Sequence, residues 1–260
     1  MLPPFERELF LSLSSIFYPA AEKLMRLERL SQDDIDAFLA LPHRLKWLDL
    51  GGYIVREDDR IEHCCVLLEG IAIRHKVTNG GNRQIVSIQI PGDFVDLQNS
   101  LLDIADHSVQ TLTKAHVALI PVTAIEMLIA QRPALGRALW RDTLIDAAIF
   151  REWIVNVGRR DAASRIAHLL CELAVRLAFA GMAEDHCYKM PLTQEQLADA
   201  VGLTPIHVNR TLRDLERQNL IRRDKRTMCI LDWPALEELG DFNDRYLHPN
   251  LTQDPVDETA

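Results

Sequence analysis

The side chains best equipped for chemistry crowd into one short stretch, and what they offer is contact with a polyanion. From Thr204 to Arg226 the cations are Arg210, Arg213, Arg217, Arg222, Arg223, Lys225 and Arg226, against Asp214, Glu216 and Asp224. That local excess of four positive charges sits in a chain whose formal net charge is −9. The field near the contact surface decides association, so the acidic total does not exclude a nucleic acid, and acidic residues elsewhere repel unspecific contact. Cations clustered in this way suit phosphates. No catalytic residue is assigned, because no nucleophile motif, metal-ligand spacing or cofactor loop is present.

These cations need a rigid carrier, and the flanking residues supply one. Thr193 with Gln196 three residues later is the reciprocal capping pattern of a helix start. Leu197, Ala198 and Val201 give that helix its inward stripe, and Gly202 permits the left-handed backbone of a tight turn. Thr204 then caps a second helix with Pro205 in its first position, where a missing N–H costs nothing. Val208, Leu212 and Leu215 recur at four and three residues. They face the first helix and turn His207, Asn209, Arg210, Arg213 and Arg217 outward. Asn219 is a left-handed stop, and residues 222–227 form a basic hairpin between two apolar runs. The pattern predicts a winged helix-turn-helix whose second helix, 205–218, enters the DNA major groove.

At 260 residues and 48% hydrophobic, the chain can bury two modest cores. An amphipathic helix is expected over 4–13, a second from Pro19 with Leu24, Leu27 and Leu30 on one face, and a third capped by Ser31 and ended by Pro42. From Leu45 to Pro121 the period changes. Short Val- and Ile-rich runs alternate with Gly51-Gly52, Gly70, Asn79-Gly80-Gly81-Asn82 and Pro91-Gly92, which predicts an antiparallel β-domain. The Asn-Gly-Gly-Asn stretch reads as a hairpin turn.

Pro133 opens a long helical run to about Arg160. Leu135, Leu139, Ile149 and Trp153 form a seam on it, interrupted by Asp142 and Asp146, and this seam is expected to pair two copies across a two-fold axis. A further amphipathic helix over 161–180, with Ile166, Leu169, Leu170, Leu173 and Leu177 inward, floors the DNA-binding domain. The fold class is therefore α+β, divided as 1–30 helical extension, 31–131 β-domain, 132–160 dimerisation helix, 161–235 winged helix-turn-helix and 236–260 acidic tail. Residues after about Leu247 are expected to be poorly ordered.

Five cysteines suit no disulfide scaffold, no signal peptide is visible, and no run is long and apolar enough to span a bilayer. A cytoplasmic protein without a membrane partner is expected. Cys64 and Cys65 are neighbours in a predicted strand, point to opposite faces and cannot share one metal; no metal site is assigned. Cys171, Cys187 and Cys229 read as core residues, a redox switch at one of them being the alternative.

A β-roll, a long dimer helix and a C-terminal winged helix, in that order, resemble the Crp/Fnr superfamily of bacterial transcription regulators. The likeness covers about residues 30–235. Its most specific pieces are Gly92-Asp93-Phe94, the DAASRI hinge at 161–166, and LTQEQLADAVGLTPIHVNRTLRDLERQNLI. It implies a cyclic-nucleotide-binding-like jelly roll that senses a signal or serves as a ligand-free scaffold, a homodimer on pseudo-palindromic double-stranded DNA, and RNA polymerase as a partner. A small-molecule sensor whose winged helix serves protein contacts is the alternative.

By the same likeness Arg210 stands where an arginine contacts guanine, and its fork fits O6 and N7. Ile206 replaces a glutamate that accepts from cytosine, so specificity must differ. Asn209 could pair with adenine, His207 or Thr204 with a base edge or phosphate, and Ile206 with a thymine methyl unless it tucks inward. Thr193, Arg213, Lys225 and Arg226 are assigned to phosphates, which position without selecting sequence.

The corresponding ligand pocket would hold Asp96, Leu97, His107, Ser108, Phe150 and Arg151. Asp96 and Leu97 stand where cyclic-AMP members have glycine and glutamate, and His107-Ser108 stands in place of their Arg-Ser pair. Cyclic AMP is therefore disfavoured, since a phosphate would be buried without its paired cation. The iron-sulfur branch has cysteines near the N-terminus, whereas the first here is Cys64, so that cluster is disfavoured too. Haem ligation by His63, His75 or His107 has no spacing pattern behind it.

Overall fold

The structure, a computed structural model, describes residues 16–102, 104–249 and 251. The helix expected over 4–13 and the tail from 252 onward lie outside the described residues. Helix α1 (Tyr18–Leu27) carries Pro19 in its first turn and buries Ala20, Ala21, Leu24 and Leu27. Helix α2 (Gln32–Leu39) opens on a reciprocal cap, with the Asp34 amide donating to Ser31 Oγ at 3.2 Å and the Ser31 amide to Asp34 Oδ2 at 3.0 Å.

Two antiparallel sheets follow. One is ordered β1-β7-β3 and the other β2-β6-β4-β5. The strands are β1 (Arg44–Leu48), β2 (Tyr53–Val55), β3 (His63–Glu69), β4 (Ala72–Val77), β5 (Arg83–Gln89), β6 (Ser108–Thr111) and β7 (Ala115–Pro121), with a 3-10 turn at Leu97–Ser100. Val55, Cys65, Leu67, Ala72, Val109 and Val117 fill the space between the sheets. Cys64 and Val66, on the other face of β3, pack instead with α1, Phe38 and Phe94. The two cysteines thus point apart, as strand geometry requires. The turn joining β4 and β5 is the Asn-Gly-Gly-Asn stretch, with Gly81 at φ 80°.

Helix α3 (Val122–Gln131) leads into α4 (Pro133–Arg159), whose 27 residues span about 40 Å at about 1.5 Å per residue. Helix α5 (Ala162–Phe179) is capped by Asp161, which accepts the Ser164 amide at 2.9 Å. It forms the floor under α6 (Gln194–Val201) and α7 (Pro205–Arg217), with Ile166, Leu169, Leu170, Leu173 and Leu177 against Leu197, Val201, Val208, Leu212 and Leu215. A third sheet, ordered β10-β11-β9-β8, is built from β8 (Ala183–Glu184), β9 (Cys187–Lys189), β10 (Ile221–Asp224) and β11 (Thr227–Ile230).

Three expectations are corrected here. The segment from 236 to Leu247, assigned to an acidic tail separate from the DNA-binding domain, is packed onto that domain. Helix α8 (Trp233–Leu239) and a 3-10 turn (Asp244–Leu247) bury Leu236, Phe242 and Leu247, and Tyr246 Oη donates to Glu172 Oε2 at 2.8 Å. Its acids alternate with apolar residues, so they can face outward while the others pack. Cys187 and Cys229 are not separate core residues: they face each other across β9 and β11 and form a disulfide. The third concerns α4. Leu135 and Leu139 pack with α1 and the roll, Ile149 and Trp153 with α5, so this seam is buried within its own chain rather than left for a second copy.

The roll and the DNA-binding domain also touch directly. Arg83 Nε donates to Asp199 Oδ2 at 2.8 Å and Gln84 Nε2 to the Ala200 carbonyl at 3.2 Å, seating α6 on β5.

Candidate nucleic-acid interface

The helix-turn-helix is built as its capping residues require. Thr193 Oγ1 accepts the Gln196 amide at 3.2 Å while Gln196 Oε1 accepts the Thr193 amide at 2.9 Å. Gly202 ends α6 at φ 66°, and Thr204 Oγ1 accepts the His207 amide at 3.3 Å to start α7. Both threonine hydroxyls keep their own proton for a phosphate oxygen. Val208, Thr211, Leu212 and Leu215 are buried, and Asn219 closes the helix at φ 59°.

The outward face of α7 carries the expected residues. Arg210 and Arg213 are exposed, Asn209 and His207 half-buried, and Ile206 is 84% exposed, which decides between its two readings in favour of an outward side chain. Ile206, Asn209, Arg210 and Arg213 line one shallow groove with Gln194, Pro205 and Arg217.

Not all the cations are available. Arg217 is paired with Asp214 on its own helix, and Arg223 forks onto Glu216 at 2.9 and 2.6 Å, which ties β10 to α7. Those hydrogen bonds from Arg223 hold the Glu216 carboxyl below its ordinary range despite partial burial. Arg210, Arg213, Lys225 and Arg226 have no carboxylate partner among the described residues. Lys225 and Arg226 form the two-residue turn between β10 and β11, with Lys225 at φ 53°, so both project from the tip of the wing. Gln194 was not singled out in the sequence. It accepts from Asn209 Nδ2 at 2.8 Å, a pairing between two helices that no spacing within one helix reveals.

The residues assigned to a ligand pocket do not enclose a common space. Asp96 is buried and its Oδ1 accepts the Cys65 amide at 2.7 Å. Burial pushes its pKa up to about 7, against the pull of that hydrogen bond and of Arg74. His107 Nδ1 meets Asp106 Oδ1 at 2.6 Å, and burial lowers the imidazole's pKa although Asp106 opposes it. Ser108 Oγ accepts the Glu57 amide at 3.0 Å, and Arg151 is exposed on the far side of α4.

Arg74 is what Asp96, His107 and Phe150 gather around. This guanidinium is almost wholly buried. Its Nε donates to the Val95 carbonyl at 2.9 Å, Nη2 to the Phe94 carbonyl at 3.4 Å, and Nη1 pairs with Asp146 of α4. A cation amid the apolar residues of β4 was the available signal for it. A cyclic phosphate needs unused donors. Here each nitrogen of the Arg74 guanidinium already donates within the protein, and the Asp96 carboxyl lies within its field, which is a poor setting for that group.

A cavity of about 550 Å³ lies instead where α1, the roll, α4 and α5 meet, and of the six assigned residues only Leu97 lines it. Within it Lys23 Nζ lies 2.7 Å from both Asp93 and Asp142, and Arg176 lies 3.3 Å from Asp93 and from the neighbouring Glu172. Burial opposes the charge on Lys23, yet Asp142 and Asp93 outweigh it and hold the ammonium above its usual range. Asp142 and Asp146, which break the inner seam of α4 in the sequence, are the groups that Lys23 and Arg74 meet.

Opposite that inner seam, α4 shows a second one. Trp140, Leu144, Ala147, Arg151 and Ile154 recur at four and three residues, with Trp140 67%, Leu144 52% and Ile154 68% exposed.

Known proteins agree with this architecture. Residues 164–239 match the model of the Crp-like helix-turn-helix domain, and residues 45–132 that of the cyclic nucleotide-binding domain. The transcriptional activator protein FnrL of Cereibacter sphaeroides is 29% identical over 199 residues, which cover 75% of this chain and 79% of the relative. The nitrogen fixation regulation protein FixK of Bradyrhizobium diazoefficiens is 28% identical over 190 residues, 73% of this chain and 79% of the relative. The solved structure of FixK2 from Bradyrhizobium japonicum superposes with a TM-score of 0.71 at 22% identity, covering 76% of this chain and 98% of that one. With a roll, a long connecting helix and an outward-facing α7 in that order, the chain belongs to the Crp/Fnr superfamily of DNA-binding transcription regulators.

Proposed function

We propose that this regulator binds DNA as a homodimer, held by the outer seam of α4, and that each α7 reads one half of a pseudo-palindromic site. The observation that carries the reading is the exposed Trp140, Leu144 and Ile154 on one stripe of a helix already packed on its other side. An apolar stripe at this spacing is what a parallel partner helix covers. Arg210 is directed to guanine, Asn209 to adenine and Ile206 to a thymine methyl. Thr193, Arg213, Lys225 and Arg226 take phosphates, and Thr204 and His207 a phosphate or base edge.

The roll acts in this reading as a scaffold whose tie to α4 is the chain's own Arg74, without cyclic AMP, haem or an iron-sulfur cluster. RNA polymerase is the partner that relatives named as transcriptional activators support. The place of action is the cytoplasm; no described helix is long and apolar enough to cross a membrane.

Sedimentation and selection from random duplexes test this together. The wild type should sediment as a dimer and enrich a two-fold symmetric site. Leu144→Glu should weaken self-association at least roughly a hundredfold while the monomer stays folded, since burying an unpaired carboxylate at a helix interface is costly. A monomeric wild type, or a Leu144→Glu protein that dimerises normally, would overturn the reading.

A further inference from the structure

Asn209 is the side chain on α7 best suited to adenine, and it is not independent. Its Nδ2 donates to Gln194 Oε1 at 2.8 Å, across the turn between α6 and α7. A primary amide has two N–H groups and one carbonyl oxygen. With one N–H directed to Gln194, what remains is an edge carrying one donor and one acceptor side by side. That edge is complementary to adenine, whose N7 accepts and whose N6 donates in the major groove. An amide free to turn by half a rotation would lose this order, because oxygen and nitrogen would exchange places.

We propose that Gln194 is a positioning residue for base choice: its carbonyl fixes the amide of Asn209 so that α7 selects adenine at one position of each half-site. Gln194 is the first residue of α6, so its backbone is fixed by the Thr193 cap, and its side chain lines the same groove as Ile206, Asn209 and Arg210. Its own amide N–H groups remain available to a phosphate. The inference rests on α7 occupying the major groove.

Three substitutions separate orientation from charge. Glu at 194 can only accept a hydrogen bond, and Lys can only donate one. Gln194→Glu should therefore keep the adenine preference while lowering affinity for every sequence alike, because it adds a negative charge beside phosphates. Gln194→Lys should do the reverse: stronger overall binding at low salt, with the preference reduced roughly tenfold. Gln194→Ala should reduce the preference to a similar degree, and in the Asn209→Ala background neither change should reduce it further.

The measurement is enrichment from operators randomised at each position, at two salt concentrations. If the wild type shows no base preference at all, the groove reading itself fails. If Asn209→Ala removes an adenine preference that Gln194→Lys and Gln194→Ala leave intact, the inference is overturned and that reading survives.

Discussion

Arg74 and Arg210 are the same side chain put to opposite uses. Arg74 lies inside the roll with its donors directed to Val95, Phe94 and Asp146. Arg210 stands on α7 without a carboxylate partner among the described residues. The two faces of α4 repeat the contrast: Leu135, Leu139, Ile149 and Trp153 are covered by the chain itself, whereas Trp140, Leu144 and Ile154 are not. A regulator needs both kinds of group. Interactions completed within the chain hold the domains together, and those left incomplete are the ones a second molecule can complete.

The largest effect that would break this contrast is on stability. Arg74→Met leaves Asp146 and the Phe94 and Val95 carbonyls without their donor, and removing one member of a buried ion pair costs about 3–5 kcal/mol. Arg210→Ala, on a solvated face, should alter unfolding by less than about 0.5 kcal/mol. Urea denaturation of both variants checks the difference, and equal costs would show that Arg74 is not an internal brace.

Asp96 sharpens the same point through pH. Its folded pKa of about 7 exceeds the ordinary 3.8 chiefly because of burial. Below the ordinary value both folded and unfolded chains carry the proton, so the group adds no pH dependence. As pH rises from about 4 the unfolded chain ionises first, and folding loses stability until about pH 7, above which the loss is complete. At about 1.4 kcal/mol per unit the loss is on the order of 4 kcal/mol. Asp96→Asn keeps an oxygen for the Cys65 amide, so it should erase this part of the slope and gain most above pH 7. Denaturation of both proteins from pH 4 to 8 reads the difference, and parallel curves would contradict it.

Function comes next in size. Arg210→Ala should weaken binding by about 1–3 kcal/mol and relax one base position, without the change in stability that Arg74→Met brings. Operator selection shows it directly. An unchanged base preference would remove Arg210 from the groove.

How much of this was legible in the sequence follows the same division. The helix-turn-helix could be read residue by residue because caps, turn glycine and proline act locally: Thr193, Gly202, Thr204, Pro205 and Asn219 take the roles that their chemistry dictates. The roll was legible as alternating strands and glycine turns, but not as two sheets in a given order, which depends on pairings between distant segments. Spacing found a stripe on α4 without saying what covers it, and two stripes at the same spacing satisfied the rule. Asp142 and Asp146 marked the inner one, since Lys23 and Arg74 reach them from other parts of the chain. Gln194 with Asn209, and Arg74 with Asp146, are tertiary pairs that one sequence alone does not announce.

The smallest effect concerns the wing, where Lys225 tests whether an unpartnered cation serves DNA without choosing it. Lys225 lies at the tip of the β10–β11 turn, away from the groove that Arg210 shares with Asn209, and no carboxylate among the described residues neutralises it. A cation that meets only a phosphate releases about one counterion on binding. Lys225→Ala should therefore weaken all operators by the same modest factor and flatten the dependence of log affinity on log salt by about one. Base preference should not move, because a phosphate carries no sequence information. Titrations against two operators at several salt concentrations separate the outcomes. A loss confined to one operator would give the wing a part in selecting bases, and Lys225 would then belong with Arg210 rather than with the cations that only anchor.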